Sequence, residues 1–429
     1  MTTVCIDGYN LALPSGTGIA TYARTLIAAA KENGDSPQIL HGPHMRQPKD
    51  PFLAQLAVAD ARTMIKPPRT VRHLEVASAW AGREARYVAS TSEIFWPTAD
   101  GRPEVAGFWI APDLFRIAAK ANANYGSVVP LAFSSPRNGP DVMHWSMPLP
   151  VRARSAPNIY TFHDLIPLRL PHTTSEDKAR YLRMCRNLVK RADHIVTVSE
   201  TTRRDVIGLL GVSPDRVTNT FQAVQPVDVS ARSDSVVAET IWNAFGLKWK
   251  DYFIHFGAVE PKKNLGRVVE AYMQCGVQSP LVVVEGRAWL EQPEVALLEA
   301  LAAYSDQGLA KRIHRLKYLP KAVLQDLIRG ARATVFPSLY EGFGLPILES
   351  MGLGTAVLTS DVGAAAEVAG DAALLVDPYR VEDIGKGMRK LENDGAFREH
   401  LEALGRLQAA KFGMDLYRKR LDAVYRAVA

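Results

Sequence analysis

Residues 340–351 read YEGFGLPILESM and place two carboxylates, Glu341 and Glu349, eight positions apart across a glycine-containing loop. The run before them, ARATVFPSL at residues 331–339, is short and mainly apolar, which predicts a buried parallel strand that ends at the loop. Pro346 suits the first turn of a helix, because that turn leaves its N–H groups unpaired in any case. The segment therefore predicts a strand, a loop and a helix in direct succession.

The loop has the features of an anion site. Gly342 and Gly344 carry no side chains, so a ligand can approach the backbone closely. The N-terminus of the following helix offers free N–H groups and a partial positive charge to a phosphate. We therefore expect the backbone from Gly342 through Phe343 and Gly344 to Leu345 to bind a phosphorylated ligand.

The two carboxylates add a second kind of recognition. Glu349 lies about one turn into the helix, so it can point back over the same cleft, while Glu341 lies on the loop itself. Carboxylates accept hydrogen bonds from vicinal hydroxyls, as acidic residues do from ribose in dinucleotide sites. Phosphate, ribose and a further polyol together suggest a sugar nucleotide. The simpler interpretation is a helix whose acidic residues favour its dipole.

These residues carry a resemblance to a known family. Residues 338–356 resemble the Glu-x7-Glu signature of retaining GT-B glycosyltransferases, specifically of family 4 (group 1). The segment FGAVEPKKNL, residues 256–265, is similar to the one that opens the second domain of these enzymes, where a Lys before Asn or Gly holds the donor diphosphate. That role falls on Lys263. Many members have an Arg where this chain has Ala258, and Lys262 is the candidate to supply that charge.

The resemblance implies a mechanism and a donor. Glu341 would contact the transferred sugar and Glu349 the ribose, neither acting as a covalent nucleophile, and configuration would be retained. No Asp-x-Asp motif is present, so we expect neither a metal nor another cofactor. The EPKKNL form resembles subgroups that use GDP-mannose in O-antigen and other cell-surface polysaccharide biosynthesis, which favours a mannosyltransferase with a glycan or polyprenyl-linked acceptor. UDP-sugars remain open as donors.

Composition bounds the class of protein. The chain has 429 residues, 47% of them hydrophobic and 22% charged, which predicts a globular protein with more than one domain. Three scattered cysteines support neither a disulfide framework nor a zinc site. An apolar run long enough to span a membrane and a signal peptide are both lacking, so we expect a cytoplasmic protein. The net charge of +6 does not by itself choose between nucleic acid, anionic lipid and phosphorylated substrates.

Strand-like and helical runs alternate along the chain, which is typical of α/β proteins with parallel sheets. With the family resemblance, this predicts a GT-B fold of two Rossmann-like domains that face an interdomain cleft. We expect an acceptor-side domain at residues 1–228, a hinge near 225–236, a nucleotide-sugar domain at 237–410, and a helix at 411–429 that crosses back to the first domain. Residues 43–140 read as loops and irregular helices.

Further candidates lie at predicted strand ends. Gly16, Thr17 and Gly18 precede a helix that should begin near Ile19, and in relatives this loop faces the donor diphosphate. His163 ends the strand of NIYTFHD, where open α/β sheets place their ligands, and it could donate a hydrogen bond or move a proton.

Three predictions concern single positions. Gly286, at the end of LVVVEG, is expected to border the donor, as the corresponding glycine does in relatives. Ser199 is expected to cap a helix. Glu367 is expected to start a helix after Gly363 and to be structural.

One predicted helix has a basic face. Within EDKARYLRMCRNLVKRADH, basic residues recur every three or four positions, at Arg180, Arg183, Arg186 and Lys190. The basic side of this helix is either exposed to solvent or rests against the anionic inner surface of the cytoplasmic membrane.

Three other functions compete with glycosyl transfer. A hydrolase would need Glu341 and Glu349 to face one bond, and nothing orients them so. A non-hydrolysing sugar-nucleotide epimerase shares the two-domain architecture. A nucleic-acid or anionic-surface binding protein is suggested by basicity alone, without a recognised nucleic-acid motif, so we expect no nucleic acid as a partner.

Overall fold

The computed structural model describes residues 1–11, 18–43, 50, 52–53, 79–90, 104–135, 137–224, 229–286, 296, 299–300 and 311–429. Its strands are β1 (Thr3–Asp7), β2 (Ser36–His41), β3 (Arg83–Ala89), β4 (Gly107–Ile110), β5 (Val129–Phe133), β6 (Val142–Trp145), β7 (Val151–Ala153), β8 (Asn158–Phe162), β9 (His194–Thr197), β10 (Val217–Asn219), β11 (Phe253–Gly257), β12 (Leu281–Glu285), β13 (Ile313–Leu316), β14 (Ala333–Phe336), β15 (Ala356–Ser360) and β16 (Leu374–Val376). Its α-helices are α1 (Gly18–Glu32), α2 (Leu114–Tyr125), α3 (Ile166–Arg169), α4 (Lys178–Val189), α5 (Glu200–Leu210), α6 (Asp234–Phe245), α7 (Leu265–Cys275), α8 (Lys321–Gly330), α9 (Leu345–Gly352), α10 (Gly363–Ala369), α11 (Val381–Asn393), α12 (Gly395–Ala410) and α13 (Met414–Val428).

The first half of the chain forms one sheet, with the described strands in the order β10-β9-β8-β6-β1-β2-β4-β3-β5-β7. Its central strands pair in parallel, and β8 and β6 are buried along their whole length, as expected of a sheet covered on both faces. Parallel pairing brings the ends of β1, β6 and β8 to one edge of the sheet.

The prediction of loops and irregular helices between residues 43 and 140 is wrong for the described part of that region. It contains β3, β4, β5 and the helix α2. Strand β3 pairs antiparallel with β4. Its exposed Glu84 and Arg86 flank the buried Ala85, whereas Val88 is buried out of phase with this alternation. The short alternation at residues 84–87 is the local signal of a half-buried strand.

The second half forms a parallel sheet with the described strands in the order β13-β12-β11-β14-β15-β16. The predicted strand in residues 331–339 is confirmed as β14, which pairs in parallel with β11 on one side and β15 on the other. Helix α9 begins at Leu345 with Pro346 in its first turn, as the sequence predicts. The two sheets give the predicted GT-B type of architecture.

One apolar cluster joins the two halves. It includes Val4 and Val196 from the first sheet, Phe343 and Ile347 from the second half, and Tyr417 from α13. Within this cluster the two connections between the halves touch, because the backbone N–H of Val224 donates to the carbonyl of Phe412 at 2.9 Å.

Helix α13 packs against α1 of the first half. Its Tyr425 hydroxyl lies 2.8 Å from Nδ1 of His144, whose Nε2 lies 2.8 Å from the Thr161 hydroxyl. Burial lowers the pKa of His144 to about 3, so the ring is neutral and uses one nitrogen as donor and the other as acceptor. The C-terminal helix is therefore tied to the first sheet by a fully buried polar chain.

Within the described residues, no helix has both the length and the apolar character that a membrane span requires.

Replacing Tyr425 with Phe should lower the free energy of unfolding by about 1–3 kcal/mol, because a buried ring nitrogen of His144 loses its partner. Chemical denaturation followed by circular dichroism measures this. Tyr379→Phe, which removes the hydroxyl of an exposed tyrosine, is the control and should change the free energy of unfolding little. Equal losses in the two variants would contradict the assigned role of the hydroxyl of Tyr425.

Candidate functional site

The predicted anion loop connects β14 to α9. Gly344 precedes the helix with φ of +108°, a conformation that side chains disfavour, and a Cβ there would approach Ile347 to 3.0 Å. The N-cap residue offers no side-chain hydrogen bond to the helix. Pro346 has no N–H, and the N–H of Ile347 donates to the carbonyl of Gly344 at 3.0 Å. The N–H of Leu345, which has no partner among the described residues, is therefore the group of this turn that is available to an anion.

A second loop, after β11, is fixed against this one. Asn264 adopts a left-handed conformation, and its amide donates to the carbonyls of Pro337 at 2.9 Å and Pro378 at 2.7 Å. The N–H of Leu339 donates to the carbonyl of Lys262 at 2.7 Å. These bonds hold the two strand ends in register, and sequence reasoning did not anticipate the part played by Asn264.

The predicted residues Lys263 and Glu341 form a direct ion pair. Lys263 Nζ lies 3.0 Å from Glu341 Oε1, and their side chains are only 12% and 9% exposed. The ammonium also lies 4.6 Å from the centre of the Phe336 ring. Because the ammonium has three N–H donors, it can bind a diphosphate oxygen while keeping its bond to Glu341.

The charges of the site reinforce one another. Burial alone would raise the pKa of Glu341, but Lys263 and Lys262 outweigh it and hold that pKa below its usual value. Burial would lower the pKa of Lys262, but the carboxylates of Glu341, Asp164 and Glu260 raise it instead. Glu341 and Lys262 are therefore charged at neutral pH, and Lys262 lies within the field of Glu341.

Glu349 has a different environment. Its side chain reaches solvent, and partial desolvation by the neighbouring protein raises its pKa despite the opposing charges of Lys321 and Lys263. The exposed carboxylate is free to accept hydrogen bonds from a ligand.

On the first half of the chain, His163 follows β8 at the sheet edge. Its Nε2 donates to the carbonyl of Ser146 at 2.8 Å, and its ring meets Tyr22 edge to face at 4.8 Å between centroids. Burial lowers the pKa of His163, so the ring is neutral. With Nε2 occupied as a donor, Nδ1 is the nitrogen left to accept a proton or a hydrogen bond.

Asp7, which the sequence did not single out, supports this histidine. Its fully buried carboxylate accepts a hydrogen bond from the N–H of Ser146, the residue whose carbonyl binds His163. Asp7 therefore orients the backbone that fixes the histidine ring. Burial raises the pKa of Asp7 from 3.8 to about 6.

The two halves touch at Gly342. A Cβ at this position would overlap the carbonyl oxygen of His163. The hydroxyl of Thr202 lies 3.0 Å from that carbonyl and 3.3 Å from the carbonyl of Gly342. The structural reason for this glycine is therefore the approach of the other half of the protein, in addition to any ligand.

Glu367 makes a second contact between the halves. It lies inside α10 and not at its start, so the sequence expectation was wrong on its position. Its carboxylate accepts three hydrogen bonds from the first turn of α5, from the N–H of Glu200 at 2.6 Å and from the N–H and hydroxyl of Thr201 at 2.9 Å each. A carboxylate there also favours the helix dipole. The predicted cap of α5, Ser199, is confirmed by its bond to the N–H of Thr202.

The other predicted glycine positions are the loop before α1 and the end of β12. Gly16 and Thr17 lie outside the described residues, and Gly18 is the exposed first residue of α1. The N–H of Gly286 donates to the carbonyl of Gly257 at 2.7 Å, and a Cβ on Gly286 would meet the neighbouring backbone at 2.9 Å.

The side chains of Phe343 and Leu345 join the apolar cluster between the halves, where the Phe343 ring lies 5.6 Å from that of Phe412. These two residues can therefore contact a donor only through their backbone.

Asp7→Asn should change the pH dependence of stability. Since the pKa of this carboxyl rises from 3.8 to about 6 on folding, its contribution is complete below pH 3.8 and is lost as the pH rises through 6. Relative to the variant, the wild type should lose up to about 3 kcal/mol of unfolding free energy over this range. Urea titrations at a series of pH values measure the difference, and a difference that is constant with pH would contradict the raised pKa.

Glu367→Ala should weaken the association of the two halves. In a double-mutant cycle with Thr201→Val, we expect a coupling free energy of about 1 kcal/mol, because each change removes the same hydrogen bond. Glu382→Ala, in the first turn of α11, is the control and should show no coupling with Thr201→Val. The absence of coupling for Glu367 would contradict the contact.

Comparison with known proteins identifies the family. Residues 16–219 match the family model described as glycosyltransferase family 4, and residues 239–408 match the one described as glycosyl transferases group 1. The chain is 32% identical over 272 residues to O-antigen chain mannosyltransferase B of Escherichia coli, covering 62% of this chain and 69% of that protein.

Two further comparisons differ in extent. The chain is 31% identical over 268 residues to the serotype-specific mannosyltransferase WbdA of Escherichia coli, covering 58% of this chain but only 31% of that protein. HepE of Anabaena, whose crystal structure contains UDP and glucose, matches over the full length of both chains with a TM-score of 0.66 and 14% identity. This last match concerns the fold alone. The family models, the mannosyltransferase relative and the fold agree, and the chain belongs to the family 4 (group 1) glycosyltransferases of the GT-B fold.

Proposed function

We propose that the protein is a retaining mannosyltransferase that moves mannose from a nucleoside diphosphate donor, GDP-mannose in preference, to a glycan or lipid-linked acceptor. The observation that carries this proposal is the Lys263–Glu341 pair at 3.0 Å beside the glycine-containing start of α9. This arrangement places positive charge, the N–H of Leu345 and a fixed carboxylate next to one another.

The positive groups serve the leaving group. As the bond from the anomeric carbon to the diphosphate breaks, negative charge grows on the diphosphate oxygens. Lys263, Lys262 and the N–H of Leu345 at the start of α9 are in place to stabilise that charge. Because these groups supply the positive charge themselves, we propose that the reaction needs neither a metal nor another cofactor.

The carboxylates serve the two sugars. Glu341 is held ionised by the two lysines, so it can bind the hydroxyls of the transferred sugar and stabilise positive charge that develops on it. Glu349 would accept hydrogen bonds from the ribose of the nucleotide. His163 Nδ1 can accept a hydrogen bond or a proton on the acceptor side.

Mannose is favoured by two considerations. The two Escherichia coli relatives are named as mannosyltransferases, one for the O-antigen chain and one as serotype-specific. The EPKKNL segment of this chain has the form expected of GDP-mannose enzymes. The same relatives favour an acceptor in O-antigen or other cell-surface polysaccharide assembly, at the cytoplasmic side of the membrane. UDP-glucose is the competing donor, since HepE was crystallised with UDP and glucose.

A screen of nucleotide sugars tests the proposal. GDP-mannose should raise the melting temperature more than UDP-glucose, UDP-galactose or UDP-N-acetylglucosamine, and it should be consumed only when a mannan or polyprenyl-linked glycan is present. Proton NMR of the product should show the anomeric configuration of the donor. Conversion of a nucleotide sugar to its epimer without any acceptor would instead identify an epimerase, and inversion in the product would refute retention.

Glu349→Ala should raise the dissociation constant of the donor about tenfold or more, because a charged hydrogen bond to the ribose is lost. The melting temperature should change little, since this side chain is exposed. Isothermal titration calorimetry measures the affinity. Glu382→Ala, at an exposed position of α11, is the control, and unchanged affinity in Glu349→Ala would contradict its role.

Lys263→Ala should lower kcat about 100-fold or more, as the loss of a charge-stabilising donor does in other enzymes. The change also leaves Glu341 buried without its closest cation, so loss of fold must be separated from loss of chemistry. The double variant Lys263→Ala, Glu341→Gln removes both charges and should recover stability without recovering turnover. Wild-type turnover in either variant would contradict the assigned role.

A further inference from the structure

The exposed side of α4 carries positive charge that the described protein does not neutralise. Arg183, Arg186 and Lys190 are exposed, and none of them forms a salt bridge within the described part of the chain. Arg180, one turn earlier, lies 3.9 Å from Asp177, and the same carboxylate also interacts electrostatically with Arg183, so these two charges are partly compensated while Arg186 and Lys190 are not. The opposite side of the helix is apolar and packs into the first half through Cys185 and Leu188.

Two large aromatic side chains are exposed beside this helix. Trp80 is 63% exposed and Tyr125 is 61% exposed, and their rings meet edge to face with centroids 5.6 Å apart. The indole N–H of Trp80 donates to the hydroxyl of Ser127 at 3.0 Å, which fixes the orientation of the ring. An exposed pair of large aromatic rings held in a fixed orientation is a feature of surfaces that bind a partner or a membrane.

The aromatic pair and the basic side of α4 form one continuous surface. The amide of Asn187, on α4, donates to the carbonyl of Gly126 at 2.9 Å, directly after Tyr125. Beyond Trp80, the guanidinium of the exposed Arg154 donates to the carbonyl of Ala81 at 3.1 Å. We name Trp80, Tyr125, Arg154, Arg183, Arg186 and Lys190 together the basic–aromatic face.

We infer that the basic–aromatic face docks the protein on an anionic lipid bilayer. Lysine and arginine side chains are attracted to the negative surface potential of anionic lipids, while tryptophan and tyrosine side chains prefer the depth of the headgroups. The face therefore offers positive charge to the anionic lipid surface and aromatic rings to the headgroup region beneath it. A polyanion in solution, such as a nucleic acid, would bind through the positive charges alone and would not require the exposed aromatic rings.

The position of the face also fits a lipid-linked acceptor. Helix α4 packs against α3, and α3 follows directly after His163 and Asp164 at the end of β8. A bilayer against the outer side of α4 therefore lies one helix away from the candidate site. The docking itself does not depend on which sugar is transferred, so its test is independent of the proposed donor.

Sedimentation with lipid vesicles tests the inference. The full chain should bind vesicles of phosphatidylglycerol and phosphatidylethanolamine and should not bind vesicles of phosphatidylcholine. Changing Arg183, Arg186 and Lys190 together to Gln should weaken binding about 100-fold, since each charge near the surface contributes about fivefold. Binding should also fall at ~1 M salt, where the screening length is about 3 Å.

Matched variants separate docking from a general effect of charge. The triple change Lys386→Gln, Arg389→Gln and Lys390→Gln, on the exposed side of α11, removes the same net charge and should leave vesicle binding unchanged. The double change Trp80→Ser and Tyr125→Ser should weaken vesicle binding several-fold without changing binding to heparin. Trp242→Ser, at another exposed tryptophan, is the control and should leave both vesicle binding and heparin binding unchanged.

Three results would overturn the inference. The first is equal loss of vesicle binding in the α4 and α11 triple variants. The second is wild-type vesicle binding by the double aromatic variant. The third is binding to an oligonucleotide or heparin that exceeds vesicle binding and resists the aromatic changes, which would identify a polyanion as the partner instead.

Discussion

The ion pair between Lys263 and Glu341 is the interaction on which the candidate site depends. Each residue lies on a loop at the end of a parallel strand, and neither charge could stay nearly buried without the other. The Asn264 amide bonds and the Leu339–Lys262 backbone bond bring the two loops to the separation that the pair requires. The ion pair therefore exists because β11 and β14 are neighbours in the sheet, and that neighbourhood places a cation and a carboxylate beside the start of α9.

Local sequence signals were sufficient for the elements around the site. The apolar run before residue 337, the proline in the first turn and the serine before α5 each act through the backbone of their own segment, and the structure has β14, α9 and the Ser199 cap as predicted. The short alternation at residues 84–87 was also a local signal. It belongs to an antiparallel strand in a predominantly parallel sheet. Recognising it as a strand requires considering a sheet that contains both parallel and antiparallel pairs.

The features that sequence reasoning missed depend on residues far apart in the chain. Nothing near Glu367 indicates that its carboxylate meets α5, because those residues are more than 160 positions away. The glycine at 342 reads as a ligand-approach residue, while its closest neighbour is the His163 carbonyl of the other half. In the same way, the occupied Nε2 of His163 depends on Ser146 and the buried Asp7, and only the folded sheet edge brings these three together.

The backbone bond between Val224 and Phe412 bears on how the molecule can move. The polypeptide passes from one half to the other twice, and at this bond the two passages lie side by side. If the two connecting segments were far apart, the halves could only rotate about the line that joins them. Because the segments are adjacent, they act as a single hinge point. Any motion of the two halves relative to each other can therefore combine bending with twisting about this point.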